Sequence, residues 1–153
     1  MPEIPARPLP RINEDTRPFW EGCKAHELRF QKCQDCGLVR WPPSVVCPHC
    51  LSGDTVWINA SGRGTVYTFA VFRRAFHEAF QANIPYVTAS IQLEEGPRIL
   101  SNVVGCPPAQ VACDMPVEVT WEDITEVFSL PKFKTLERKG SQNIKKRIPL
   151  RNQ

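Results

Sequence analysis

Two pairs of cysteines with matching spacing dominate the first third of this chain. Cys33 and Cys36 form one C-x2-C pair, Cys47 and Cys50 form the other, and ten residues separate the pairs. A tetrahedral zinc ion takes thiolate sulfurs at about 2.3 Å, and two such turns at the ends of a short hairpin supply all four ligands. The spacing therefore predicts one structural zinc ion per chain, with no coordination position left open for catalysis.

Two other uses of these cysteines stay open, namely two disulfides or a redox-active C-x-x-C pair. The chain has seven cysteines, and the sequence suggests no pairing for the remaining Cys23, Cys106 and Cys113. Unpaired cysteines are typical of a reducing compartment, so we expect a cytoplasmic protein. No apolar run approaches the length of a membrane span and the amino terminus lacks a secretory pattern, so we expect no membrane association.

The charge of the chain is unevenly distributed along its length. Residues 132–153 carry eight Lys/Arg and a single Glu, a net charge of +7, although the whole chain is only +3. The first 131 residues are therefore acidic, with eleven basic and fifteen acidic side chains. A tetrathiolate zinc site adds a further negative charge to this body.

The chain divides into four segments. Closely spaced prolines predict an extended arm over residues 1–13. A helix plus zinc ribbon is expected over 14–54, with the helix at about 16–27 because Pro18 suits a first helical turn. A small β-barrel is expected over 55–133, and a basic flexible tail over 134–153.

The barrel prediction rests on a succession of short β-rich runs. Apolar and β-branched residues alternate with polar ones between turn residues, which is typical of strands. Five or so strands within eighty residues suit a small closed barrel such as an OB-fold, so the fold class is mainly β. The predicted strands are Thr55–Ile58, Thr65–Phe72, Tyr86–Leu93, Arg98–Val104, Pro116–Trp121 and Val127–Pro131.

The order of these parts resembles one known family. The matching segments are Phe19–Gly22 (FWEG), the two cysteine pairs, Gly62–Phe69 (GRGTVYTF), Pro85–Tyr86, Glu95–Arg98 (EGPR), Gly105–Cys106, Met115–Val117 (MPV) and Leu130–Phe133 (LPKF). Over residues 14–133 the chain is similar to the domain of unknown function 35 family, acyl-CoA-associated OB-fold proteins with a rubredoxin-like zinc ribbon.

This resemblance implies a role beside another enzyme. In such assemblies the OB-fold protein is a noncatalytic subunit that helps to form the channel for a CoA thioester. The implied partner is a thiolase-like enzyme (a thiolase or a retro-aldolase) or a hydratase-like enzyme, with lipid or steroid side-chain degradation as one setting.

Two groups of residues are candidates for contacts outside the metal site. Phe19, Trp20 and Trp41 are candidate anchors for the partner enzyme, because aromatic residues often dominate the energetics of an interface. The segment Arg73-Arg74-Ala75-Phe76-His77 holds the only doubled arginine of the acidic body, and two guanidinium groups can bind the phosphates of CoA. Phe76 and Phe80 would then line the pantetheine path, with His77 beside Phe76; the alternative is a solvated strand end in which Phe76 and Phe80 simply pack.

Single-stranded nucleic acid is the alternative ligand, since OB-folds and zinc ribbons often bind it. Such binders combine stacking aromatics with a positively charged groove. The acidic body argues against specific binding of this kind, although the basic tail can attract polyanions. No glycine-rich phosphate loop, serine-hydrolase elbow or zincin helix is present, so no catalytic residue is assigned.

Overall fold

The computed structural model describes residues 6–136, so the predicted arm before residue 6 and the predicted tail from residue 137 lie outside the described residues. Within this range a single α-helix, α1, runs from Arg17 to Lys24, shorter than the predicted 16–27. Pro18 occupies its first turn as expected. The helix ends early because His26 has a φ of 58°, which no helical residue adopts.

A small three-stranded antiparallel sheet follows the helix. It consists of β1 (Arg29–Cys33), β2 (Val39–Arg40) and β3 (Thr55–Asn59), in the order β2-β1-β3. The strand at residue 55 was expected to open the barrel, and this assignment was wrong, since β3 pairs with β1 along its whole length. The reason is geometric: β2 has only two residues, and β1 needs a partner of its own length on its other edge.

Five longer strands close into a barrel. They are β4 (Arg63–Phe72), β5 (Tyr86–Leu93), β6 (Arg98–Val104), β7 (Pro116–Asp123) and β8 (Ser129–Thr135). The order around the barrel is β4-β5-β6-β8-β7, in which only the β6–β8 pair is parallel. This is a small closed Greek-key barrel, so the prediction of a mainly β, OB-type fold is confirmed.

The barrel interior is filled by side chains from alternate strand positions. Along β5 every second residue is buried, from Val87 to Leu93. Phe133 from β8 and Val66 from β4 are both fully buried in the same core. Gly64 allows β4 and β5 to approach closely, because a Cβ there would lie 2.3 Å from the carbonyl oxygen of Gln92.

The helix and the ribbon share one continuous hydrophobic core with the barrel. Phe19 and Phe30 belong to the same buried cluster as Phe133. A polar contact reinforces the connection, since His26 Nε2 lies 2.8 Å from Asp123 Oδ1 and the imidazole stacks on Trp121 at 5.3 Å. Among residues 6–136, no helix is long and apolar enough to cross a bilayer.

Candidate metal centre and binding surfaces

The four predicted ligand cysteines converge at the tip of the ribbon. All four Sγ atoms lie within 4.8 Å of one another, with 3.5 Å between Cys33 and Cys50 and 3.6 Å between Cys36 and Cys47. Tetrahedral zinc with bonds of about 2.3 Å would hold its sulfurs about 3.8 Å apart. A disulfide needs about 2.05 Å, and all seven cysteines are free thiols. The arrangement fits a four-coordinate metal ion.

The two cysteine turns are built in the same way. Gly37 N–H donates to the carbonyl of Cys33 at 3.0 Å, and Leu51 N–H donates to the carbonyl of Cys47 at 2.9 Å. Both donor residues have a positive φ, 75° for Gly37 and 63° for Leu51. Each turn therefore folds back so that its two sulfurs face those of the other turn.

The electrostatics of the cluster favour a bound cation. The backbone N–H of Cys50 lowers the pKa of Cys47 to about 6. The N–H of Ser52 favours the Cys50 thiolate, but burial and the neighbouring thiols outweigh it and raise the pKa of Cys50 to about 12. Four sulfurs so close together cannot all ionise without a compensating positive charge. Soft thiolate donors in a four-fold set suit zinc or an iron–sulfur centre.

The ribbon sheet contains a buried arginine. Arg40, only 6% exposed, donates from Nη2 to Thr55 Oγ1 and to the carbonyl of Ser44, both at 3.0 Å. Thr55 is the strand neighbour of Cys33, which places the guanidinium on the side of the ribbon that carries the sulfurs. Within residues 6–136 this guanidinium has no carboxylate within salt-bridge distance.

The three predicted docking aromatics have different environments. Phe19 is only 2% exposed and packs against Trp20 at 5.0 Å and Trp41 at 4.1 Å, so it is a core residue and not a surface anchor. The sequence pattern predicts that Phe19 lies on one face of the helix, but it does not indicate which residues pack against that face. Trp20 and Trp41 are half-buried and keep one edge accessible.

The accessible edge of Trp20 belongs to a shallow apolar depression. Ile12 from the arm and Val127 from the β7–β8 turn line it, and they are 44% and 63% exposed. The charged residues Glu21, Lys24 and Glu126 also line it. An apolar centre with a charged rim is the usual composition of a protein–protein contact.

The predicted CoA-binding segment forms the start of the loop between β4 and β5. Arg73 and Arg74 are exposed, and neither makes an ion pair with another of the described residues. Phe76 is 77% exposed, and His77 Nδ1 accepts a hydrogen bond from the N–H of Ala79 at 3.2 Å. The structure therefore leaves both guanidinium groups free of ion pairs among the described residues, and none of these four residues lines the depression beside Trp20 or the cavity described next.

A cavity that the sequence analysis missed lies on the outer face of β5 and β6. It encloses about 490 Å³, and Arg7 and Lys132 bring positive charge to its wall. Arg7 is held beside the cavity by Glu122, which lies 115 positions further along the sequence. Its Nη1 donates to Glu122 Oε1 at 2.7 Å. No local motif indicates such a site, because its two charged residues come from the arm and from β8.

Sequence comparison relates both parts of the chain to described domains. Residues 20–56 match the ChsH2 rubredoxin-like zinc ribbon domain, and residues 57–122 match the ChsH2 C-terminal OB-fold domain. Together these matches span the cysteine cluster and most of the barrel.

Three similar proteins extend this finding. A probable enoyl-CoA hydratase alpha subunit of Thermomonospora curvata is 38% identical over 128 residues, which are 84% of this chain but only 40% of that protein. A DUF35 domain-containing scaffold protein of Methanocaldococcus jannaschii is 40% identical over 62% of this chain and 67% of its own length. The solved Ltp2-ChsH2(DUF35) aldolase contains a chain with 37% identity and a TM-score of 0.77, over 83% of this chain and 98% of that one.

The structural match covers nearly all of the solved chain, and the sequence match places the same ribbon before the same barrel. This confirms the resemblance drawn from the motifs of residues 14–133. The chain belongs to the DUF35 family, the domain of unknown function 35 family of zinc-ribbon and OB-fold proteins.

Proposed function

We propose that this protein is a noncatalytic subunit that partners a thiolase-like enzyme, a thiolase or a retro-aldolase, in acyl-CoA metabolism. The observation that carries the proposal is the similarity to the DUF35 chain of an aldolase, which this chain covers almost completely. The name of the Thermomonospora relative, an enoyl-CoA hydratase alpha subunit, supports a CoA thioester as the substrate class and allows a hydratase-like partner. Lipid or steroid side-chain degradation in a reducing cytoplasm is the setting that we infer.

The metal in this proposal is one structural zinc ion per chain. It is held by the two pairs at the ribbon tip, whose sulfur spacing fits a tetrahedral thiolate site. With four protein ligands the ion has no open position, so its role is to hold the ribbon in shape.

The described residues argue against independent catalysis. Cys23 is fully buried, and burial raises its pKa to about 12, so it is a poor nucleophile. Ser129, Asp123 and His26 are in contact, but the order of contacts is wrong for a catalytic triad. Ser129 is fully buried and donates to Asp123, not to the imidazole that would have to remove its proton.

The partner is proposed to dock on α1 and the ribbon. Trp20 is the favoured anchor, because its accessible edge lies in the apolar depression with Ile12 and Val127. Trp41, half-buried on the ribbon, is the second anchor. Phe19 contributes only by holding the two tryptophans in place.

The loop that begins at Arg73 is proposed to border the CoA-thioester channel. Its two arginines are exposed and without ion pairs among the described residues, so their guanidinium groups are available to CoA phosphates. Phe76, 77% exposed, offers an apolar surface to the pantetheine arm next to His77. The catalytic groups would come from the partner.

The experiment that tests this function is affinity purification of the tagged, full-length protein from its native host. We expect a thiolase-like enzyme to copurify, and its turnover of acyl-CoA to fall when this protein is omitted. Trp20→Ala should weaken the association, whereas Phe76→Ala, which changes an aromatic residue on the loop, should not. An Arg73→Ala/Arg74→Ala variant should raise the KM for the CoA substrate at unchanged association. Purification of the protein without any acyl-CoA enzyme would contradict the proposal.

Single-stranded nucleic acid remains the second candidate because of one feature of the barrel surface. Tyr67 is 52% exposed, and the guanidinium of Arg98 lies 3.6 Å from its ring centre, an arrangement on which a base can stack. Fluorescence anisotropy with labelled single strands distinguishes the two functions. Strong, salt-dependent binding by the full chain that disappears in Tyr67→Ala would favour this alternative.

A further inference from the structure

We propose that the cavity on the outer face of β5 and β6 is a binding site for a small organic anion, with the carboxylate or phosphate group of the ligand between Arg7 and Lys132. The floor of the cavity is formed by Tyr86–Thr88 of β5 and by residues 102–106 at the end of β6. In OB-folds the face of the second and third barrel strands is a common ligand surface, and these are the corresponding strands here.

The charge at the cavity wall is positive by one unit. Glu122 Oε1 accepts from Arg7 Nη1 at 2.7 Å, and its other oxygen lies 3.0 Å from Lys132 Nζ. Burial opposes ionisation of Glu122, but Arg7 and Lys132 outweigh this and hold its pKa below the usual value, so the carboxylate is charged at neutral pH. Two cations thus share one anion. Their side chains are only 26% and 17% exposed, so the surplus charge is partly desolvated and an anionic group would be favoured beside it.

Both cations keep hydrogen-bond donors for a ligand. Lys132 Nζ has three N–H groups, of which one donates to Asn102 Oδ1 at 2.9 Å, while its contact with Glu122 is an ion pair without a hydrogen bond. Asn102 is held in turn, because its Nδ2 donates to the carbonyl of Val87 at 3.0 Å. Arg7 has five N–H donors, and only one is engaged by Glu122 among the described residues. The cavity therefore offers a positioned ammonium group and a guanidinium with most of its donors unused.

The remaining walls explain why the ligand should be an organic anion and not a bare ion. Phe80, Tyr86 and Pro108 present apolar surface, and the guanidinium of Arg7 lies 5.5 Å from the centre of the Phe80 ring. A volume of about 490 Å³ lies within the usual range for small-molecule sites, which is about 300–1,000 Å³. Inorganic phosphate would fill only the charged end of this space and would leave the apolar walls uncovered.

Binding of an anion in this cavity requires neither a partner protein nor the exposed arginines of the β4–β5 loop. Arg73 and Arg74 do not line the cavity. The isolated full-length chain is therefore sufficient for the test, and failure of the cavity proposal would leave the proposed subunit role intact.

The test is a titration of the ¹⁵N-labelled, zinc-loaded full chain, followed by amide chemical shifts. The probes are phenylacetate and phenyl phosphate, which carry the two anionic groups, and the neutral phenylacetamide. We expect at least one anion to change the amide chemical shifts of residues 86–88 and 102–106 at millimolar concentration. The affinity of the neutral probe should be at least about tenfold lower. The anion that binds more tightly identifies carboxylate or phosphate as the preferred group.

Charge variants complete the test. Lys132→Met should weaken binding of the preferred anion about tenfold or more, and Arg7→Gln, in the extended arm where the fold is little affected, should also weaken it. Lys134→Met is the matched control, because Lys134 lies two residues further along β8 and does not line the cavity. Equal binding of phenylacetamide, equal losses in Lys132→Met and Lys134→Met, or the absence of shifts with every probe would each overturn the proposal.

Discussion

Phe19→Ala is the substitution that most directly separates a core role from a docking role. The ring is 2% exposed and touches Trp20 at a centroid distance of 5.0 Å and Trp41 at 4.1 Å. Truncation of a buried phenylalanine usually costs about 3–5 kcal/mol, which includes the cavity that remains. Loss of two aromatic contacts, worth about 0.5–1.5 kcal/mol each, favours the upper half of that range. We therefore expect the free energy of unfolding to fall by about 4–5 kcal/mol.

Urea unfolding of the zinc-saturated protein, followed by tryptophan fluorescence and circular dichroism, measures this change. Phe76→Ala is the matched control, because the same atoms are removed from a ring that is 77% exposed, and its effect should stay within about 0.5 kcal/mol. Since small domains are stable by only about 5–15 kcal/mol, Phe19→Leu provides a milder variant with an expected loss of roughly 1–2 kcal/mol. If Phe19→Ala lost less than about 1 kcal/mol yet abolished partner binding, Phe19 would be a surface anchor and the reasoning would be refuted.

Three further predictions concern the barrel, the acid stability and the thiols. Gly64→Ala should destabilise the barrel by several kcal/mol, because its Cβ would meet the Gln92 carbonyl at 2.3 Å. Gly53→Ala is the control in the same urea assay and should be nearly neutral, because the space around Gly53 is open. The hydrogen bond from His26 lowers the pKa of Asp123. The stabilisation by this contact is therefore complete above about pH 4 and is lost as the pH falls further. The melting temperature of Asp123→Asn should decline less between about pH 5 and pH 3 than that of the unsubstituted protein. Cys23 should resist iodoacetamide in the folded protein at pH 8 and react only on unfolding, as measured by mass spectrometry of the digested chain.

The predictable parts of the fold are those that depend on residues close together in the sequence. The strand predicted over Tyr86–Leu93 is found with the same bounds, because alternation of buried and exposed residues is a property of the segment itself. The metal site was equally predictable, since each C-x2-C turn brings two sulfurs together through local geometry alone. Agreement at these points depends on short-range geometry alone.

The parts that were missed depend on contacts between distant segments. Thr55–Ile58 was recognised as a strand, but its pattern suits pairing with β1 as well as pairing within the barrel, and the pairing with β1 follows from the short length of β2. Phe19 lies on the expected helix face, but its burial depends on Trp41, 22 positions along the chain. Arg7 shows the limit most clearly, because its partner Glu122 is 115 residues away.

The same long-range contacts connect the proposed structural zinc site to the proposed docking face. A bound ion would fix the ribbon that carries Trp41, Trp41 packs on Phe19, and the neighbouring Trp20 packs on Phe128 at 5.8 Å, next to the last strand of the barrel. These aromatic contacts hold the proposed docking face in one orientation relative to the barrel. Loss of the metal would release Trp41 first, so partner binding should weaken before the barrel itself unfolds. In the proposed arrangement the ion would act through the position of Trp20 and Trp41 and would not need to lie near a substrate.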